Sequence, residues 1–286
     1  MAGVPTNRTN ISLPPEVAAE ILAKTQDASA VMSLARQIQL PGRGVSIPVI
    51  TADPEAAWVG ETAAKPVANP TLGTKVMEPY KLAVIVPFSN EFRRDAAALY
   101  DELVRRLPLA LAQKFDATVV GAVQAPGSNF DTFAAATAQD ITNPNTYSSL
   151  VAADADIATH GGIMNGIALS PQGKSVLLGA VDGDSRPLFI NNVSEGAVPM
   201  VLGAKTDMNK GVYDGTNNVV GIAGDWSQAM YGTVEGVVID YSSDATLTSG
   251  NTTINLFQQN MFAVRAEIEI GFRADVNCFN RLTVTP

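Results

Sequence analysis

The clearest alternation of apolar and polar positions lies near the C-terminal end. Phe262, Val264, Ala266, Ile268, Ile270 and Phe272 share one parity, and Arg265, Glu267, Glu269 and Arg273 share the other. This period of two predicts a half-buried strand with a charged outer face, and such a strand needs a sheet to join. The strongest helical period starts at Ser89, placed as a cap, and runs through Phe92, Ala96, Leu99, Leu103, Leu107, Leu111, Phe115 and Val119 to residue 121. Unbroken, it would span about 50 Å, the length of a spine, and Pro108 is expected to kink or break it.

Before the spine, Pro14 and Pro15 with Val17, Ile21 and Leu22 predict a short amphipathic helix over 14–24, and a second over 28–37. Residues 1–12 show no core pattern and read as an arm that is ordered by a neighbouring surface. Val45, Ile47 and Val49 signal a strand, as do Tyr80, Leu82, Val84 and Val86. Between them, residues 51–75 are rich in Pro, Gly, Ala and Thr, with Trp58 as the one aromatic group. That stretch reads as a two-stranded projection whose arms, of about 17 residues each, reach roughly 55 Å. Two strands alone are marginal in water, so the projection is expected to rest on another copy of the chain.

From residue 145 the pattern shortens. It predicts a helix through Leu150, Val151, Asp154 and Ile157 ended by Gly161-Gly162, a strand Ile163–Leu169, a helix after Ser170-Pro171, and strands near 198–202, 219–223 and 233–241. The expected division is an arm over 1–44, an extended loop over 45–84, a discontinuous first module over 85–145 and 240–286, and an α/β module over 146–239.

Composition narrows the function. The 286 residues carry 19 basic and 28 acidic side chains, a net charge of -9. That argues against a tight nucleic-acid binder, which needs an excess of Lys and Arg to neutralise phosphates. The single Cys278 rules out an internal disulfide framework, and the single His160 rules out multi-histidine metal sites and most proton-shuttle catalysis. No apolar run is long enough for a bilayer span, and the start lacks a secretion-signal pattern, so synthesis in a reducing cytoplasm is expected. Gly173-Lys174-Ser175 lacks the first glycine of a phosphate loop, with Ala168 in that place, and reads as a helix start. Asp182-Gly183-Asp184 is followed by Arg186 where a calcium ligand is required, and reads as a surface turn. His160 reads as a helix end. No enzyme site and no cofactor are expected.

Several of these pieces, in their order and spacing, resemble one family. They are the projecting loop, Val84-Ile85-Val86 running into Ser89-Asn90-Glu91, the long helix, the stretch Ala117 to Gly127, the Ser170-Pro171 helix leading to Arg186-Pro187-Leu188, Gly196 to Val201, Gly224-Asp225-Trp226 and the closing FQQNMFAVRAEIEIGF. From about residue 14 onward the chain resembles the major capsid proteins of tailed bacteriophages with the Hong Kong 97 fold. The resemblance implies an α+β subunit with an N-terminal arm, an extended β-hairpin loop, a peripheral domain with a long spine helix, and an axial domain. It implies pentamers and hexamers in an icosahedral shell around packaged double-stranded DNA. The further partners expected are a separate scaffolding protein, a portal, a decoration protein and weak non-specific contact with DNA, Arg8 on the arm included, with no membrane. An encapsulin-type storage shell around a cargo enzyme is the alternative of the same architecture.

Cross-linking members of that family join a loop lysine to an asparagine amide, with a glutamate as base. Residue by residue, the resemblance places these roles on Lys65, Asn260 and Glu267. A free lysine is neutral only about once in 2,500 molecules at pH 7, so desolvation and an acceptor carboxylate must supply the amine. Positions 260 and 267 have opposite parity on a regular strand, which suits a site assembled from several copies. The plain alternative reads Lys65 as a solvated loop charge, Asn260 as a turn amide, and Glu267 as a partner of Arg265 or Arg273.

Overall fold

The computed structural model describes residues 15–52, 58–59, 71–91, 96–182, 184–189, 200–249 and 252–285. In chain order the elements are α1 (Pro15–Ala28), α2 (Ala30–Leu34), β1 (Arg36–Gln39), β2 (Val45–Ala52), β3 (Thr71–Met77), β4 (Tyr80–Ser89), α3 (Ala96–Val120), β5 (Thr137–Asp140), α4 (Thr146–Thr159), β6 (Gly166–Leu169) and α5 (Pro171–Leu178). They continue with β7 (Met200–Val201), β8 (Ala204–Met208), β9 (Val219–Gly224), β10 (Ala229–Thr233), β11 (Val238–Ser242), β12 (Thr246–Ser249), β13 (Thr252–Asn255), β14 (Met261–Ala274) and β15 (Phe279–Thr283).

The alternating C-terminal segment is the 14-residue β14, the axis of a five-stranded sheet. β4 pairs antiparallel with it from Met261 to Ile270, β11 from Ala263 to Glu267 and β10 from Ile270 to Ala274, while β1 adds to β10 in parallel. Because β4 and β11 pair with the same β14 residues, they lie on opposite edges. The even-numbered apolar face of β14 must be covered, and α3 covers it: Leu107 and Leu111 pack on Ile239, Phe262, Val264, Ala266 and Ile268. α3 runs through Pro108 without a break, and its described span of 25 residues is roughly 38 Å long. Ser89 ends β4, and its hydroxyl accepts from Glu91 N at 3.3 Å; the cap expected of it falls before residues 92–95, which lie outside the described residues.

The second sheet has the order β5-β15-β9-β6-β8-β7. α4 and α5 pack Leu150, Ile157 and Leu177 onto its Ile167, Leu169, Val220 and Leu282. An aromatic cluster fills the junction of the two sheets and α3, with Phe133 tilted on Phe279 at 4.4 Å and Trp226 edge-on to Phe279 at 5.3 Å. Each fully buried ring of this kind contributes about 1.5–3 kcal/mol through area alone.

Sheet membership moves the expected module boundaries. Residues 137–140 and 279–283, which fall inside the expected module over 85–145 and 240–286, form β5 and β15 of the second sheet, where β15 lies between β5 and β9. β10, expected within 146–239, belongs to the first sheet. The strand expected over 233–241 is two strands, β10 and β11. The N-terminal stretch also differs from the arm expected over 1–44. From residue 15 onward α1 and α2 pack on α3, Ala30, Val31 and Met32 are buried, and β1 joins the sheet. The second predicted helix shrinks to α2, because residues 36–39 satisfy their backbone on β10 instead.

Candidate assembly and cross-link site

Among the described residues, the projection is a two-stranded ribbon of β2 and β3, paired from Val45–Met77 to Ala52–Thr71. Its return strand is β3, while Tyr80 to Val86, expected to form that arm, pairs with β14 in the body. The base is tied down by a cluster that the parity pattern concealed. Arg273 is buried, not on an outer charged face; its Nε and Nη2 donate to Val76 O, its Nη2 to Asn129 Oδ1 at 2.8 Å and its Nη1 to Asp131 Oδ1 at 2.8 Å. Lys75 Nζ donates to Ala274 O at 3.0 Å and lies 3.8 Å from Asp131. The ribbon therefore leaves the body at a fixed root. Gly44, at φ 80°, permits the turn there, since a Cβ would stand 2.5 Å from Met77 O. Farther out, Trp58 is completely exposed.

Of the three residues matched to cross-link roles, Lys65 lies outside the described residues. Asn260 sits at the exposed turn before β14 in a left-handed conformation, φ 52°. Its Oδ1 accepts from Asn90 Nδ2 at 2.7 Å. Glu267 lies seven residues along β14, roughly 23 Å away at 3.3 Å per residue, so one subunit does not bring the two together. Glu267 accepts from Lys81 Nζ at 2.7 Å and lies 3.7 Å from Arg265 Nε; Lys81 also reaches Glu269 at 3.3 Å. Hydrogen bonds to Glu267, then Glu269, hold the Lys81 ammonium above its ordinary pKa. Arg265 also pairs with Asp240, which closes a charged ladder on that face.

A buried carboxylate fastens the N-terminal helices to the spine. Asp116, on α3, accepts from Ser29 Oγ at 2.5 Å, Ala30 N at 3.0 Å and Val31 N at 3.4 Å. Ser29 in turn accepts from Met32 N at 3.0 Å as the N-cap of α2. Burial pushes the Asp116 carboxyl up to about 7, against the opposing effect of these three donors.

The remaining motifs are structural. Asp182 Oδ1 accepts from Asp184 N at 2.9 Å and Arg186 N at 2.8 Å, a turn as expected. Ser170 caps α5 by accepting from Gly173 N at 3.0 Å, and Gly173-Lys174-Ser175 lies in its first turns. His160 ends α4 with Nδ1 2.9 Å from Asp156 O. Asp225 of the Gly-Asp-Trp segment accepts from Ile163 N, Asn165 Nδ2 and Ser227 N, and so ties the β9–β10 turn to the start of β6. Among the described residues, no cluster of His, Cys, Asp and Glu could hold a metal ion, and no helix is long and apolar enough to cross a membrane.

Comparison with known proteins matches residues 10–275 to the phage capsid family. The probable major capsid protein gp17 of Mycobacterium phage L5 is 31% identical over 95% of this chain and 89% of its own length. The major capsid protein of Staphylococcus phage 80alpha is 24% identical over 93% of this chain and 83% of its own. A solved structure from Microbacterium phage Oxtober96 superposes with a TM-score of 0.73 at 22% identity, covering 90% of this chain and 91% of that one. One from Gordonia phage Cozz gives 0.72 at 21%, covering 90% and 87%. At such identities the structures share the fold.

Proposed function

This chain belongs to the phage capsid family, and we propose that it works as the major capsid subunit, tiling in pentamers and hexamers into a closed icosahedral shell around packaged double-stranded DNA. In this reading the first sheet with α3 is the peripheral domain of a Hong Kong 97-like fold. The second sheet is the axial domain, which meets its copies at five-fold and six-fold centres. The β2–β3 ribbon is the extended loop, laid over a neighbour, and the residues before α1 are the arm.

The observation that carries this reading is the ribbon itself: among the described residues, two strands with no third, rooted at the base, and an exposed tryptophan beyond β2 in sequence. The described residues of one subunit leave that surface open, and repeated contact between identical copies both covers it and closes a shell. A wall of net charge -9 per chain touches DNA weakly and without sequence preference. A scaffolding protein, a portal and a decoration protein complete the set of partners.

A covalent reinforcement belongs to the same reading. Lys65 of one copy would attack Asn260 of a second, with Glu267 of another copy as base, since a strand separates the last two within a chain. Electron microscopy of the purified, expressed protein tests the shell: closed shells or tubes support it, and dispersed monomers refute it. Boiled, reduced particles run on a denaturing gel test the links separately. Multimers support them, and single 30.0 kDa chains remove them while leaving the shell reading intact.

A further inference from the structure

Asn90 follows β4 and is bonded twice to Asn260. Its backbone N donates to Asn260 O at 2.9 Å, and its side-chain Nδ2 donates to Asn260 Oδ1 at 2.7 Å. The backbone bond lies one step beyond the Ser89–Met261 pair of the β4–β14 ladder, so the sheet itself sets the spacing of the two side chains. The other half of the Asn90 amide, Oδ1, is buried and has no hydrogen-bond partner among the described residues. A buried acceptor left unpaired costs about 1–3 kcal/mol, a cost that the amide bears while its Nδ2 faces Asn260. Asn260, by contrast, is exposed and open to a group from another copy.

We propose that Asn90 is a catalytic residue for amide exchange at Asn260. Its Nδ2, already hydrogen-bonded to Asn260 Oδ1 at 2.7 Å, stabilises the charge that gathers on that oxygen under attack. The proposal rests on the cross-link reading above. In the step, the lone pair of a neutral lysine amine adds to Asn260 Cγ, and the carbonyl π pair moves to Oδ1. A carboxylate takes a proton from the added nitrogen and passes it to Asn260 Nδ2. The carbonyl re-forms and Nδ2 leaves as ammonia, so an amine and a primary amide become a secondary amide and ammonia with no redox change. A donor aimed at Oδ1 acts most strongly when that oxygen carries charge, which lowers the barrier and not merely the ground state.

The test follows the appearance of gel-stable multimers, and of the linked peptide short by one ammonia, in complete particles of wild type, Asn90→Asp, Asn90→Ala and Asn260→Asp. Asn90→Asp keeps the size and replaces the donor with an oxygen. The expected result is loss of links in Asn260→Asp and roughly 100-fold slower linking in both Asn90 variants, in shells of unchanged shape. Wild-type rates in Asn90→Asp overturn the role of Asn90 and leave the cross-link standing. A wild type that never links overturns both. If Asn90 variants do not assemble alone, isotope-labelled variant chains are co-assembled with excess wild-type chains and linkage at the labelled Asn260 is counted. Equal linkage of labelled and unlabelled Asn260 again overturns the proposal.

Discussion

Replacing Asp116 with asparagine is expected to remove a pH dependence from the subunit's stability. The ordinary carboxyl value of 3.8 rises to about 7 in the folded chain, chiefly because the group is wholly buried, with Asp207 adding a smaller like-charge effect. A folded-state value above the unfolded one means that the native chain keeps a proton that the unfolded chain has lost. The resulting stability is complete below about pH 4 and is lost as pH rises through 7. Three pKa units correspond to roughly 4 kcal/mol in all, of which roughly 2.5 kcal/mol falls between pH 5 and pH 8. Urea unfolding of unassembled wild-type and Asp116→Asn chains at pH 5, 6, 7 and 8 measures it, because the other carboxylates cancel in the difference. The wild type should lose its advantage steadily up to pH 7 and then level off. Parallel stability curves across that range would refute the reasoning, as would a wild type that gains on the variant with rising pH.

Three further outcomes follow from the same geometry. Arg273→Ala leaves Asp131 and Val76 O without their main donor at the ribbon root and should cost about 3 kcal/mol in urea unfolding; Arg273→Lys should recover only part of it, since the fork is lost. Gly224→Ala would put a methyl 2.1 Å from the Phe279 ring, which Phe133 and Trp226 hold in place, and should cost about 1–3 kcal/mol, seen as a lower thermal midpoint. Trp58→Ala should leave the isolated chain's unfolding unchanged and raise the concentration needed for shell assembly at least about tenfold, read by light scattering.

Local pattern made some of this legible and topology hid the rest. The parity of residues 262–272 marked the central strand, and Ser170-Pro171 and Gly161-Gly162 marked helix ends, because each signal acts over a few neighbouring residues. β3, the segment TLGTKVM, has too few apolar side chains to announce itself, so the stronger alternation of 80–86 reads as the second arm of the ribbon. β15 lies within the range expected to join β14, yet its partners β5 and β9 lie far away in sequence, and no local signal encodes such pairing. Arg273 sits on the polar parity of its strand and is buried because the ribbon root folds over it. At the candidate site, the family resemblance reaches Asn260 and Glu267 and gives Asn90 no role. Only the ladder between β4 and β14 places it beside Asn260.

The order of the strands has a mechanical consequence. The chain passes between the two sheets three times, after β4, after β9 and after β14, and its last strand ends up between β5 and β9. Tension that pulls the halves apart is thus divided among three stitches, and the last must be drawn from mid-sheet, breaking ladder bonds on both sides, before the seam opens. A plate sewn in this way is expected to bend as one piece under pressure from inside.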